Sequence, residues 1–249
     1  MNDKAAIKAG ALMDDPSRSA FRKYRDLQYG PLSAGKALYA EAVFCLFGGL
    51  FGAAGLACRG LLYRPLFGAF GRGVLIGSHV TIRHPSKIRL GAGTVIDDGA
   101  VLDAKGTGNR GVAIGERAFI GRRTIVYCKG GNITLGDRVN LGSNCQLFSS
   151  NELSIGAGTV VGAYSYFLSG GEYDPSSVVP FSEQSGMGTK GPLVIGANCW
   201  FGARVTVLDA AGVGDHAVVG AGAVVTKAIP ADSVAVGVPA RVIRSIARG

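Results

Sequence analysis

IGANCWFGARVTVLDAAGVGDHAVVGAGAVV, residues 195–225, places an apolar residue at every sixth position: Ile195, Phe201, Val207, Val213, Val219 and Val225. The same period runs back through Ile155, Val161 and Phe167, through Leu135, Leu141 and Leu147, and through Ile114, Ile120 and Val126. A rougher run links Ile76, Ile82, Ile88, Val95 or Ile96, and Leu102. A period of six excludes an α-helix, because six steps of about 100° carry a residue away from its starting face. A plain alternating strand is excluded too, since it needs no glycine after each apolar residue. A chain that turns a corner every six residues does need one, because glycine accepts φ > 0 there. Three sides make one triangular coil, and stacked coils pair as parallel strands about 4.8 Å apart, apolar residue upon apolar residue. The expected fold class is an all-β solenoid.

Composition agrees. Forty glycines, nine prolines and 47% hydrophobic residues in 249 argue against disorder and against a helical bundle. The net charge of +9 is concentrated early, with ten Lys/Arg against five Asp/Glu in residues 1–73. Such a balance suits nucleic acid, an anionic membrane or a polyanion such as coenzyme A. No basic run is interleaved with stacking aromatics, so nucleic acid is not expected as a partner. Cys45, Cys58, Cys128, Cys145 and Cys199 are odd in number and lack a CxxC pair, and read as buried thiols in a reducing compartment. Charges and Pro16 occupy the place of an export signal's apolar run, which predicts a cytoplasmic protein.

The period breaks at KGTGNRG, residues 105–111, and over residues 171–191. Insertions in solenoids become loops on one face, often the binding face. Residues 74–229 then supply roughly seven coils, and residues 230–249, with Pro230 and Pro239, form a C-terminal cap. The succession IGANCWFGARVTVLDAAGVGDHAVVGAGAVVTKAIPADSVAVGVPARVIR, residues 195–244, closely resembles hexapeptide-repeat acyltransferases. Among them it is most similar to the O-acetyltransferases of sugars and cell-surface polysaccharides. The resemblance covers about residues 74–244. It implies a left-handed parallel β-helix, a homotrimer with active sites between neighbouring subunits, and acetyl-CoA as acyl donor.

Residues 1–73 show no such period and are expected to be largely helical. ALYAEAVFCLFGGLFGAAGLAC, residues 37–58, is long enough to span about 30 Å of bilayer as one helix, with Glu41 its only charge and Ser33 a plausible N-cap. Lys36 precedes it and Arg59 and Arg64 follow, so flanking charge favours both ends on the cytosolic side. Gly48, Gly49, Gly52 and Gly55 allow a kinked hairpin lying in the membrane interface, or a close helix contact. SRSAFRKYRDLQY, residues 17–29, suits an anionic lipid surface. Peripheral attachment to the inner face of the cytoplasmic membrane is one expectation. A helical pair packed on the prism's open end, or between subunits, is the other.

Acyl transfer needs a base for the attacking hydroxyl or amine and donors for the oxyanion. In the resembled family the base is a histidine where the large loop begins; here the matching segment, residues 169–174, puts Glu172 in that position. Three accounts remain open: Glu172 as base, another residue as base, or no catalysis. His84 is expected on the order of 20 Å away along the axis. An ionised carboxylate is a weak base that desolvation, and like charge from Asp174, would strengthen. Asn144, Ser149, Asn151, Tyr173, Asp174 and Gln184 are the acceptor-binding candidates, with Gln184 as a donor. The resemblance puts the backbone amides of residues 201–203 near the thioester, with Trp200, Ala203 and Ala221 along the pantetheine arm. It puts Lys227 and Arg241 by the adenosine phosphates. No His/Cys/Asp cluster has metal-ligand spacing, so no metal is expected.

The expected activity is acetyl transfer to a hydroxyl of a saccharide or lipid-linked glycan of the cell envelope. The alternatives are an amino-sugar N-acetyltransferase or longer-chain acyltransferase, and a non-catalytic trimeric scaffold.

Overall fold

The computed structural model describes residues 16–184 and 186–247. The first fifteen residues, which carry much of the sequence reading against export, lie outside that part.

From residue 69 the chain winds as a left-handed parallel β-helix of about seven coils. Face A stacks β1 (Ala69–Phe70), β4 (Ile88–Leu90), β7 (Val112–Ile114), β10 (Asn132–Leu135), β13 (Glu152–Ile155) and β16 (Leu193–Ile195). Face B stacks β2 (Leu75–Ile76), β5 (Val95–Ile96), β8 (Phe119–Ile120), β11 (Asn140–Leu141), β14 (Val160–Val161), β17 (Trp200–Phe201), β19 (Val218–Val219) and β21 (Ser233–Val236). Face C stacks β3 (Thr81–Arg83), β6 (Val101–Asp103), β9 (Ile125–Cys128), β12 (Gln146–Ser149), β15 (Tyr166–Ser169), β18 (Thr206–Val207) and β20 (Val224–Val225). Every pairing so far is parallel; β22 (Arg241–Ser245) then closes face B antiparallel to β21.

The sixth-position residues fill the prism, with Ile120, Val126, Leu141, Leu147, Phe167 and Phe201 all fully buried. In the rougher early run, Ile96 rather than Val95 points inward, and Leu90 rather than Ile88 aligns with Ile114. A short 3-10 turn at Pro85–Lys87 explains the lost count.

The glycines after the apolar residues have a different cause from the one expected. Gly115 and Gly121 are not in the left-handed region; a Cβ on either would lie about 2.5 to 2.6 Å from the coil above. Stacked backbones approach too closely for a side chain. The positive φ falls two residues later, at Arg117 and Arg123, and recurs up the edges at Arg138, Asn144, Tyr164, Asn198, Arg204 and His216. The buried cysteines belong to the same stacking, because the thiols of Cys145 and Cys199 donate to the carbonyls of Gly162 (3.2 Å) and Gly214 (3.1 Å). Cys45, by contrast, is exposed and Cys58 half-buried, so the expectation of five buried thiols fails on the helices.

The described N-terminal part is helical: α1 (Ala20–Gln28), α2 (Ala34–Phe47) and α3 (Gly52–Leu62). Ser33 caps α2 as expected, accepting from the Lys36 amide. The apolar stretch 37–58 is not one helix. It breaks at residues 48–51, where Gly52 takes φ +73. Arg59 fixes the break by donating to the carbonyls of Phe47 (2.8 Å), the last residue of α2, and Leu50 (2.6 Å), in the turn that follows. Its Nε donates to the Ile76 carbonyl (2.8 Å), tying the hairpin to the first coil. Arg59 is therefore a buried organiser and not the surface flank the sequence suggested. Among the described residues no helix is long and apolar enough to cross a membrane.

Candidate active site

Both interruptions leave the prism at one edge, between faces C and A: residues 104–111 after β6, and residues 170–192 after β15. That edge gathers polar side chains that elsewhere are spaced apart. Asn132 accepts from the amides of Arg110 (2.7 Å) and Gly111 (3.1 Å) and donates to Glu152 (2.5 Å), which also pairs with Arg110 at 3.0 Å.

The larger loop is held by polar groups. Asp209, buried one coil above its root, accepts from the amides of Gly170 and Lys190, both at 2.5 Å, and from the Thr189 hydroxyl at 3.2 Å. One carboxylate thus ties the outgoing and returning strands. Between them Glu172 and Gly188 exchange backbone hydrogen bonds of 2.9 and 3.1 Å. This brings the Lys190 ammonium to 2.5 Å from Glu172 Oε1, with the Glu172 side chain 35% exposed. The hydrogen bond and charge of Glu172 push the Lys190 pKa up. Asp174 is held below the usual carboxylate range by the hydroxyl and amide of Ser176. Tyr173 packs edge-on to Phe181. A cleft of about 350 Å³ opens among these residues, lined by Glu172, Asp174, Ser177, Val179, Gln184 and Gly188.

The candidate residues divide between two edges. Glu172, Tyr173, Asp174 and Gln184 share the loop on the C–A edge, and Asn151 joins them by donating to Thr189 at 3.3 Å. Gln184 is engaged by the loop itself: its Oε1 accepts from the Asp174 amide, and its Nε2 donates to the carbonyls of Asp174 and Val179. Ser149 is fully buried, and its hydroxyl has no hydrogen-bond partner. Asn144 lies on the B–C edge, in the stack of left-handed residues with Tyr164 and Arg204. Ala203 and Ala221 turn that same edge, both exposed, and Trp200 stands 59% exposed on face B just before it. Lys227 follows β20 towards the C–A edge, whereas Arg241 opens β22 beside Val236, so the two basic residues do not share an edge.

At some corners the amide two residues after the inward apolar residue donates to a carboxylate one coil on: Ser78 to Asp98 (2.6 Å), Glu116 to Asp137 (2.8 Å) and Ala197 to Asp215 (2.7 Å). Ala203, like Arg122, Ser143 and Ala163 on its own edge, makes no such contact. Above Ala203 stands Ala221, which has no acceptor, and the Ala203 N–H has no hydrogen-bond partner among the described residues.

The histidines are elsewhere. His84 lies on the C–A edge four coils below the loop, fully buried under the turn after α1; its amide donates to Gln28 O, and its Nε2 lies 3.2 Å from Leu27 O. Burial pulls its pKa down to about 4 against the rise from that hydrogen bond. His216 turns the A–B edge near Asn198 and Asp232. His79 packs against Phe51.

Sequence reasoning missed Asp209, Thr189 and Lys190. A signal was available, because a loop that leaves after Ser169 and returns at Gly191 must bring residues 189–190 beside residues 170–172.

A family model described as a hexapeptide repeat of succinyl-transferase matches residues 111–148 and 192–227. WcaF of Escherichia coli K12, provisionally assigned as a colanic acid biosynthesis acetyltransferase, is 36% identical over 134 residues, 54% of this chain and 69% of WcaF. A Staphylococcus aureus (strain COL) protein, provisionally assigned as an acetyltransferase, is 37% identical over 118 residues, 47% of this chain. The match spans only 57% of that relative's length. The solved structure of AntD, an N-acyltransferase from Bacillus cereus, shares the fold with a TM-score of 0.52 at 22% identity, over 81% of this chain and 92% of AntD.

Proposed function

Because the chain belongs to the hexapeptide-repeat acyltransferase family, we propose that it moves an acetyl group from acetyl-CoA to a hydroxyl of a saccharide or lipid-linked glycan. One observation carries this reading: an amide left open at Ala203 and a carboxylate held at Glu172 stand on the two edges that border face C. Acyl transfer needs that pair, an oxyanion donor and a base.

Within one chain the two groups are a face apart, about 15 Å at the rise of a strand. They meet when the C–A edge of one copy faces the B–C edge of another, which is the reason to propose a homotrimer with sites between subunits. The outward row of face B supports such a contact. Leu75, Phe119, Val160 and Trp200 lie in one register, apolar and exposed, with the half-buried Val95 and the exposed Asn140 between them.

In the proposed reaction the acceptor oxygen attacks the thioester carbon and its proton passes to Glu172, which Lys190 orients. The oxyanion takes the Ala203 N–H. The C–S bond then breaks, and the departing sulfur recovers the proton, leaving an acetyl ester and free coenzyme A. Ala203 and Ala221 are small enough for the pantetheine arm to pass. Arg241 and Lys227 are proposed for the coenzyme phosphates, and Asn144, Asn151, Tyr173 and Asp174 for the acceptor.

The test is thiol release from acetyl-CoA with a panel of oligosaccharides and lipid-linked glycans. The expected outcome is release that Glu172→Gln lowers by about 10² to 10⁴. An unchanged rate removes Glu172 as base. Release only with amino sugars or longer acyl thioesters selects those alternatives, and none with any pair leaves the scaffold. Sedimentation velocity checks the trimer.

A further inference from the structure

The helical hairpin closes the N-terminal end of the solenoid. Ala37, Ala40 and Val43 of α2 join the same core as Ile76 and Ile82, the His79 amide donates to Gly48 O at 2.7 Å, and Arg59 reaches Ile76 O. A terminal cap of a solenoid ordinarily turns a polar face to water. This one does the opposite. Leu38 is 58% exposed, Leu46 and Phe51 71%, Leu61 73%, and Leu50 is exposed with them. No charged residue interrupts this side of the hairpin between Glu41 and Arg59, and Arg59 is turned inward.

The hairpin also has a direction. Tyr39 Oη donates to Leu62 O at 2.9 Å, so the start of α2 and the end of α3 share one base. That base carries the exposed Lys36 and Arg64, while the opposite tip carries Leu46, Leu50 and Phe51. The acids nearby are already engaged: Glu41 accepts from Tyr24, Asp26 pairs with Arg18 and Arg25, and, in the cleft beside Phe51, Asp98 accepts from Ser78 and Asp97 pairs with Arg122 at 3.7 Å. Beside the base, α1 adds the exposed Phe21, Arg22 and Tyr24. At 1.5 Å per residue, α2 and α3 are about 21 and 16 Å long, too short to cross a bilayer core of about 30 Å.

We infer that this face docks on an anionic lipid bilayer, with the tip residues entering the headgroup and upper acyl region and the basic base meeting lipid phosphates. An apolar tip next to a basic base, with Asp26 paired to Arg18 and Arg25, complements an anionic interface. A contact between copies would need no exposed Lys36 and Arg64 beside the apolar face. The inference does not depend on the acceptor of the transfer reaction.

The experiment is flotation of the full chain with vesicles of phosphatidylglycerol and phosphatidylethanolamine, against vesicles of phosphatidylcholine alone. The chain is expected to float with the anionic vesicles and to stay behind with the neutral ones. The pair Leu46→Glu with Phe51→Glu, at positions already facing solvent, is expected to lower binding at least ten-fold. Lys36→Glu with Arg64→Glu is expected to lower it several-fold, with the parent losing affinity as salt rises. Sedimentation velocity on each protein separates the rival occupant. Lost flotation with unchanged mass and circular dichroism supports docking. A parent that fails to float, a tip variant that floats equally well, or a tip variant whose mass falls overturns it, the last by assigning the face to contacts between copies.

Discussion

The stacked coils and the 170–191 loop are built by opposite means. In the coils, inward apolar residues such as Ile120, Leu141 and Phe201 form one continuous core, and every coil pairs its backbone with the next. In the loop, Tyr173, Val178, Val179 and Phe181 are exposed, and the shape depends on a few polar side chains: Asp209, Gln184, Thr189 and the Glu172 pair with Lys190. A repeat shares its load among many similar contacts; a loop concentrates it in single residues. Substitutions in the frame are therefore expected to act on stability, and substitutions in the loop on the transfer rate.

The largest such effect on stability is expected at Phe167, fully buried and edge-on to Phe201 at 5.1 Å. Phe167→Ala is expected to cost about 3 to 5 kcal/mol in urea unfolding, with the rate per folded molecule little changed. A loss of rate without a loss of stability would break the division. His84 gives the next effect. Its folded pKa of about 4 lies below the ordinary 6.5, burial being the main cause and the charges of Lys87 and Lys105 adding to it. Between those values the unfolded chain binds the extra proton, so stability is complete above about pH 6.5 and falls as pH drops towards 4. The loss is about 3 kcal/mol. Comparing the parent with His84→Gln at pH 7 and pH 4 isolates it from the carboxylates, and a parallel fall in both proteins would remove His84 as the cause.

The same division explains what the sequence discloses. A six-residue period announces the solenoid because each inward position repeats one environment, so Ile195, Phe201 and Val207 carry the same message. The N-terminal helices have no repeat, and the break at residues 48–51 depends on Arg59 reaching back to Phe47 and Leu50 from a full helix away. Periodicity cannot express that contact. The place of Glu172 at the root of the loop was legible through the resemblance of residues 169–174. Its partner Lys190 and the anchor Asp209 were not, because they come from the loop's far end and from another coil. Gln184 reads as an acceptor ligand from the resemblance of residues 180–184; in the structure its Nε2 donates to the carbonyls of Asp174 and Val179 within the loop.

Asp209 sharpens the comparison from within the frame. Its carboxylate follows β18 of face C but acts on the loop, and an asparagine there would present Nδ2 to one of the two amides it now accepts. Asp209→Asn is expected to lose about 2 kcal/mol of local stability, as hydrogen bonds to charged groups do. The measurement is amide hydrogen exchange. Faster exchange over residues 170–190, with residues 112–168 unchanged and kcat lowered about ten-fold, places the anchor with the loop. Uniform acceleration would return it to the frame.

Gln184 should show the smallest effect, and its two readings are separable. As a strut it spans Asp174 and Val179 through three hydrogen bonds at a partly exposed site, so Gln184→Ala is expected to cost about 1 kcal/mol, felt as faster exchange in residues 174–184. The melting temperature should not move, because the coils do not depend on this bridge. If Gln184 instead contacts the acceptor, exchange in the loop stays as in the parent while KM for the acceptor alone rises. The strut reading requires exchange to change first, with KM following only as far as the loosened cleft admits the acceptor less well.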